Sequence, residues 1–599
     1  MNLNLASGAR LLAAFALAAC VASASSFSGT LTPAANRLTW TGTQTGVIGE
    51  TQTGTGLANP PCNASVCDLY ALTVTVPATF YAANPTFSIH ASAAWASSLN
   101  EFDVYVYDSS GNLVGMSTNS GGVSNDADLG QLPSGTYQIQ IVPTIAANTS
   151  YTGLVTLAAE PSVPTGRARY RLGDAQFSVQ QLTRPPSTVN TTPAGSTFFE
   201  QDAEPRIVHD ALGNLFVTAI QGVPGGSDTW KSMDAGRTFT YLGEPDGTQA
   251  AGSQLDLVGA GVGGGDEDLI ALPNGNLVMT SLWLGGNTTC VSSDSGTTWI
   301  CNPDGSTLPA DDRQWLANYG NQTVYITTKQ LGADLVGTSS LYAARSSDGG
   351  VTFPFVSQIT TPELGVQPGD QGNILVDQSN GAVYNVFFSS GSNQLYLAKS
   401  VNQGQTWILK LVVSAPPNVS LAHVFPSLAL DGAGNLYIAY SDGANSYLTS
   451  STDGGATWKT PVIVNAGPAL RTTVEPWVVA GDAGKVNVFF YGTPAASYNT
   501  PTAQWHIYMA QSQNALAPVP TFYLNTASPP MHIGAICNDG LACASGTRNL
   551  LEYFYPDTYL DGSALAVYPD DLNVNHATTT TAAFFLKQTA GTRIAGPKQ

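Results

Sequence analysis

Five stretches of the chain repeat one pattern. They are Ser232-Met-Asp234-Ala-Gly236-Arg-Thr238-Phe239, Ser292-Ser-Asp294-Ser-Gly296-Thr-Thr298-Trp299, Ser346-Ser-Asp348-Gly-Gly350-Val-Thr352-Phe353, Ser400-Val-Asn402-Gln-Gly404-Gln-Thr406-Trp407 and Ser451-Thr-Asp453-Gly-Gly455-Ala-Thr457-Trp458. Their Asp or Asn positions lie 60, 54, 54 and 51 residues apart. A repeat of that length marks a propeller or solenoid, because one supersecondary unit cannot bury its own apolar face and must stack on the next. The residue types suit a tight turn. A carboxylate accepts backbone N–H groups, glycine permits positive φ, and the aromatic closes the gap between neighbouring sheets. The fold expected is all-β.

Each repeat is preceded by a second recurring unit that reads as an innermost strand. The units begin at Glu204-Pro-Arg206, Asp266-Glu-Asp268, Asp312-Arg313-Gln-Trp315, Asp370-Gln371, His423-Val-Phe, Glu475-Pro-Trp477 and Arg548-Asn-Leu-Leu-Glu552-Tyr553-Phe554. Seven units imply seven blades, or six if the first or last is only a closing strand. Gln176 to Leu182, apolar at alternate positions, is a candidate to pair with the last blade and close the ring. First residues of inner strands surround the mouth of the axial channel, where loops converge on one concavity. The binding residues expected there are Glu204, Asp266, Asp268, Arg313, Trp315, Asp370, His423, Trp477 and His532. The bland alternative is a hydrogen-bonded polar plug. Trp315 and Trp477 read either as sugar platforms or as core.

The repeated turn resembles the Asp-box, or BNR repeat, of sialidases. That resemblance implies a β-propeller in which Asp234, Asp294, Asp348, Asn402 and Asp453 are structural, on outer hairpins away from the ligand. Arg206-Ile207-Val208, then Gly213-Asn214-Leu215-Phe216 and the turn at Ser232, follow the order of the sialidase first blade, with Val208 where that family has proline. Carried over, Arg206 would grip a substrate carboxylate, which suits a planar guanidinium. Arg471 and Arg548 are candidate second and third arginines, with Arg313 as an alternative. Asp228 is the candidate acid/base, and Tyr553 or Tyr555 beside Glu552 the candidate nucleophile. A tyrosine there avoids repulsion by an anionic sugar. The resemblance implies an exo-α-sialidase-like hydrolase of a glycan or glycoconjugate. Two other readings stand beside it: a different polysaccharide hydrolase or lyase with paired carboxylates such as Glu475 and Glu552, and a non-catalytic surface module that binds carbohydrate or a cell-surface protein.

Residues 25–165 read as a separate accessory unit. Alternating runs such as Phe102 to Tyr107, and Gly135 to Ile141, separated by a Ser109-Ser-Gly-Asn112 turn, suggest a β-sandwich. The stretch from Phe102 to Val114, with "LPSGTYQIQIV", resembles the pre-peptidase C-terminal domain of secreted bacterial enzymes. The propeller then occupies residues 166–599.

Only 10% of the chain is charged, with 21 basic and 41 acidic residues and a formal charge of -20. A nucleic-acid partner is excluded, since phosphate contacts need clustered Lys and Arg. Residues 1–24 read as a signal peptide, with Arg10, the apolar run Leu11 to Ala19 and a small-residue site at Ala22-Ser-Ala24. Leu17-Ala-Ala-Cys20 equally resembles a lipobox, which would acylate Cys20. Either way the protein is expected outside the cytoplasm, secreted, periplasmic or held as an outer-membrane or surface lipoprotein, with no transmembrane segment in the mature chain. The remaining cysteines form local pairs expected to be disulfides: Cys62/Cys67, Cys290/Cys301 and Cys537/Cys543. No cofactor is required by this reading and no metal site is assigned. Calcium at Asp266-Glu-Asp268 is an additional option, because hard cations take clustered oxygens.

Overall fold

The computed structural model describes residues 26–596 apart from 49–66, 118–122, 160–162, 185–199, 248–262, 306–310, 331–338, 466–469 and shorter stretches between them. The signal segment, Cys20 and Cys62 therefore lie outside the described residues. Strands dominate, and none of the described helices is long and apolar enough to cross a membrane.

The first two sheets occupy residues 26–159. One runs, in spatial order, Ser26–Leu31, Asp68–Val74, Gly135–Ala146, Glu101–Asp108 and Leu113–Ser117. The other runs Arg37–Gln44, Thr149–Ala159, Phe87–Trp95 and Ser124–Asp128. Their inward side chains form one core, with Trp40, Tyr70, Tyr151, Ile89, Phe102, Val104 and Ile139 all buried. Alternation of buried and half-exposed positions along Asp68–Val74 is the period-two signature of a sheet with one face on a core.

Among the described residues, seven further sheets follow, each built on an up-and-down meander of antiparallel strands. Their first strands are Ala203–His209, Glu267–Ala271, Asp311–Tyr319, Pro368–Val376, Ser427–Leu430, Thr472–Ala480 and Tyr555–Thr558. Each first strand touches that of the next sheet, and the seventh touches the first, so the sheets form a closed β-propeller ring. The last inner strand corrects the sequence reading: Arg548 to Phe554 is a turn, and the strand begins at Tyr555. Closure uses a strand from the start of the ring. Gln176–Gln181 pairs antiparallel with Thr579–Ala590 as the outermost strand of the seventh sheet, and Leu182 donates its N–H to Ala583 O at 2.9 Å. Arg169–Leu172 likewise adds, in parallel, to the outer edge of the sixth sheet. Both additions cover strand edges that would otherwise present unpaired backbone groups.

The five repeated turns join the third and fourth strands of the first five sheets. In every one the Gly N–H donates to the Ser hydroxyl at 2.9 Å. The Asp or Asn Oδ1 accepts the Thr N–H at 2.8–3.0 Å. In the four Asp copies the Thr hydroxyl donates to Oδ2 at 2.5–2.7 Å. Asn402 has an amide there and donates it to Thr406 Oγ1 instead. Bonds from Thr238 and Thr457 foremost hold the Asp234 and Asp453 carboxyls below their ordinary range. The aromatic that ends the turn packs on the preceding sheet: Trp299 on Val208 and Phe216, Phe353 on Ile270 and Val278, Trp407 on Tyr325 and Leu341. In the second hairpin of this kind the strands are also tied covalently, since Cys290 and Cys301 face each other and form a disulfide.

The glycine of the turn meets two demands at once. Gly350 has φ 94, and a Cβ there would lie 2.7 Å from the Val278 side chain of the preceding sheet. Gly434, with φ 82 at a hairpin tip, has nothing within 4 Å. Gly350→Ala should therefore cost more than Gly434→Ala, which carries only the backbone term of about 1 kcal/mol. Thermal unfolding of the two variants measures the difference. Equal melting temperatures would show that the turn does not press on its neighbour.

Candidate functional site

The inner strands do not run straight into the channel. Glu204 (φ 48), Arg313 (φ 42), Glu475 (φ 53) and Leu551 (φ 57) all sit in the left-handed region. Strand register slips around the first three, between Ala203 and Arg206, Asp312 and Gln314, and Val474 and Trp477. A non-glycine residue held there costs roughly 1–3 kcal/mol, and such strain gathers where surrounding structure over-determines it. These bulges re-aim side chains. Two residues beyond the first three, the strands deliver Arg206, Trp315 and Trp477, while the segments just before the seventh and fifth inner strands deliver Tyr553 and Phe425.

Those side chains build a lower tier that closes the channel. Trp315, Phe425, Trp477 and Tyr553, from four sheets, are all buried. Their ring centroids lie 5.4 Å apart for Trp315 and Trp477, 5.4 Å for Trp315 and Tyr553, and 5.7 Å for Trp315 and Phe425. The Arg313 guanidinium lies over this cluster, 4.0 Å from the Trp315 centroid and 4.4 Å from that of Tyr553. It bonds Glu204 Oε2 at 2.8 Å and donates to Glu267 O at 3.0 Å. Glu204 Oε1 in turn accepts the Glu552 N–H at 2.9 Å. Arg206 is likewise committed. Its Nε meets Asp268 Oδ1 at 2.8 Å, and its Cζ lies 3.3 Å from the Tyr555 centroid. Asp268 Oδ2 accepts the Leu316 N–H at 2.6 Å.

This tier corrects several expectations. Trp315 and Trp477 are core and offer no face to a sugar. Arg206 and Asp268 answer each other rather than a ligand. The Tyr553 hydroxyl donates to Glu267 O at 3.0 Å, beneath Arg313, and burial pushes its pKa well up, which does not make a poised nucleophile.

Above the plug lies an upper tier that reaches solvent. Asp266, Glu552 and Asp370 have side chains 20%, 18% and 45% exposed. Asp370 Oδ1 meets Lys329 Nζ at 3.0 Å, and Arg548 pairs with Glu552. Asp266 Oδ2 stands 3.8 Å from Arg313 Nη1. Burial, then repulsion from Asp266 and Glu552, pushes the Asp312 carboxyl up to about 7, against the pull of Lys329. Glu475 is 4% exposed, and neither of its oxygens has a hydrogen-bond partner among the described residues. Burial first and Glu552 second raise its pKa well above the carboxylate range. Glu552 is itself raised, by burial and by Asp266 and Asp370, in opposition to Arg548. His423 closes the ring on the fifth sheet. Burial lowers its pKa to about 4, and its Nδ1 accepts from Asn538 Nδ2 at 3.1 Å, so it is a neutral imidazole.

Two expected residues lie elsewhere. Asp228 is on the third strand of the first sheet, fully buried, with Arg184 Nη1 at 3.1 Å. Tyr241 Oη stands 2.5 Å from Asp228 Oδ1 and 2.6 Å from Glu244 Oε1. Burial and then Asp228 raise the Glu244 carboxyl, against the pull of Tyr241 and of Arg184, whose Nη1 lies 3.6 Å from Glu244 Oε1. That cluster fastens the closing segment to the first sheet, and Asp228 has no route to a substrate there. His532 is held on both nitrogens, by Asp571 at 2.9 Å and Ala535 O at 3.3 Å, which is a structural arrangement. The Asp266-Glu-Asp268 segment does not converge on an ion. Its carboxylates face Arg313, Thr218 and Arg206 respectively, and no group of three or more His, Cys, Asp or Glu among the described residues is disposed to hold a metal.

The Cys537–Cys543 disulfide shapes the loop that carries Asn538 to His423. The same loop packs against Cys67, Tyr105, Tyr107, Met116 and Val142 of the N-terminal sheets. That contact, Lys329, Phe425 and the buried Glu267 were not foreseen. Phe425 was within reach, because an aromatic two residues after the opening polar residue recurs in Arg313-Gln-Trp315, His423-Val-Phe425 and Glu475-Pro-Trp477.

No family model matches the chain, and no curated protein matches it. Among solved structures it is similar to an α-L-arabinofuranosidase of Fusarium graminearum, at 14% identity and a TM-score of 0.35, over 52% of this chain and 96% of that one. It is similar to an α-L-arabinanase of Penicillium chrysogenum at 13% identity and TM-score 0.35, over 65% and 96%. It is also similar to an intramolecular trans-sialidase of leech at 12% identity and TM-score 0.36, over 92% and 97%.

Asp312 gives a test of the site's electrostatics. Its pKa is about 7 in the fold against an ordinary value of 3.8. Stability from keeping it protonated is full below about pH 4 and is lost as pH rises through about 7. The wild-type melting temperature should fall between about pH 4 and 7, and Asp312→Asn should flatten that fall. Parallel curves for the two proteins would show an ordinary exposed carboxylate.

Proposed function

We propose that the protein is an exported glycoside hydrolase: a seven-bladed β-propeller, one blade per sheet of the ring, behind an N-terminal β-sandwich, with its site at the channel mouth. Glu475 carries this reading. A carboxyl group that is buried, without a hydrogen-bond partner among the described residues and raised well above the carboxylate range by burial and then by Glu552, next to carboxylates that reach solvent, is suited to proton delivery to a glycosidic oxygen. Glu552 is its carboxylate counterpart, reachable from solvent and paired with Arg548. In the reaction, Glu475 gives its proton to the leaving oxygen as the glycosidic C–O bond breaks. Glu552 takes the proton of the attacking water, whose oxygen joins the anomeric carbon. Disulfides at Cys290–Cys301 and Cys537–Cys543 support export to an oxidising compartment.

The sialidase form of this reading has less support. It asks for arginine forks open to a substrate carboxylate, and Arg206, Arg313 and Arg548 each face an internal acid. A two-carboxylate mechanism suits these residues better. A non-catalytic glycan-binding site is the second reading, favoured by the deep burial of Glu475.

Glu475→Gln keeps the shape and removes the proton. It should lower turnover of oligosaccharides by about 10²–10⁴-fold while leaving binding within a few-fold. Unchanged turnover in the variant would remove Glu475 from the chemistry. A wild type that binds glycans without cleaving any would select the binding module.

A further inference from the structure

We infer that the mouth is built for a glycan bearing free amino groups, an amino sugar in its cationic form, in preference to a neutral or acidic one. The inference rests on the reading of the mouth as a glycan site and goes on to its substrate class.

Six carboxyl groups meet here, Glu204, Asp266, Asp312, Asp370, Glu475 and Glu552, each from a different sheet or its entry loop. Three cations face them, and all are committed. Arg313 is bonded to Glu204 at 2.8 Å, Arg548 is paired with Glu552, and Lys329 bonds Asp370 at 3.0 Å. Lys329 also acts on Asp312, so one ammonium serves two acids. Asp266 has the 3.8 Å approach of Arg313 and the longer-range pull of Arg548. The balance is acidic, in a site where burial weakens screening.

Glu475 is the independent pointer to a ligand. It is more than nine-tenths buried, both oxygens are without a donor, and the charged groups acting on it are Glu552 and Arg548 of the same mouth. An unpaired buried carboxyl costs free energy until a donor reaches it. An ammonium group brings three N–H donors and a positive charge to such a cluster. A sugar hydroxyl brings one donor, and a uronate or sialate carboxylate brings only acceptors and repulsion. Because Asp312 holds a proton up to about pH 7, an arriving ammonium should also drive protons off the cluster.

The test is calorimetric titration of the full-length protein at about pH 6 in two buffers of different ionisation enthalpy. The probes are a glucosamine tetramer, its N-acetylated counterpart and a galacturonate tetramer. The free-amine oligomer should bind at least about tenfold tighter than the acetylated one and release about one proton per site. High salt and Asp312→Asn should both narrow that preference. Equal affinities, preference for the acetylated or acidic oligomer, or binding without proton release would overturn this inference and leave the glycan site standing. If none of the three binds, both readings fall.

Discussion

One guanidinium holds the centre of the ring. Arg313 leaves the third sheet, pairs with Glu204 of the first and donates to the backbone of Glu267 in the second. Its plane lies over Trp315 of its own sheet, and near Tyr553 beside the seventh and Phe425 beside the fifth. A fully desolvated ion pair of this kind is costly unless every donor and acceptor is placed. Removing either partner would leave an unpaired charge on the axis. The aromatic rings below supply what water would otherwise give, through the negative faces of their π systems.

The consequence for function is that the centre of the ring is packed rather than open. Below Arg313 the channel is packed with tryptophan, phenylalanine and tyrosine. Beside it the Asp266, Asp370 and Glu552 carboxylates reach solvent, while Glu204 and Glu475 stay buried. Rigid closure of the ring keeps these groups together despite their mutual repulsion. The Gln176–Gln181 strand contributes to that closure, and the aromatics of the outer turns pack neighbouring sheets together. Burial, together with repulsion from neighbouring acids, raises Glu204, Asp312, Glu475 and Glu552, which favours a mixture of acids and bases at the mouth.

Much of this was legible in the chain. The periodic Ser-x-Asp-x-Gly-x-Thr turn declared a ring of sheets, and its hydrogen bonds are local, within eight residues. The opening polar residues of the inner strands were also visible, because they stand out in a chain so poor in charge. Their partners were not. Arg206 looked like a ligand-gripping arginine, yet Asp268, 62 positions on, takes it up. Alternation along a strand suggested that Glu204 and Arg206 share a face, but left-handed backbone at Glu204, Arg313 and Glu475 breaks that rule. Spacing alone could not tell which tryptophans would be core, since that depends on rings contributed by three other sheets.

Glu475, at the mouth of this ring, is predicted to keep its proton at neutral pH. Infrared difference spectroscopy in heavy water, wild type minus Glu475→Gln, reads that state directly. A protonated-carboxyl carbonyl band present in the wild type at neutral pH and absent from the variant is the predicted result. A difference confined to the bands of ionised carboxylate would contradict it.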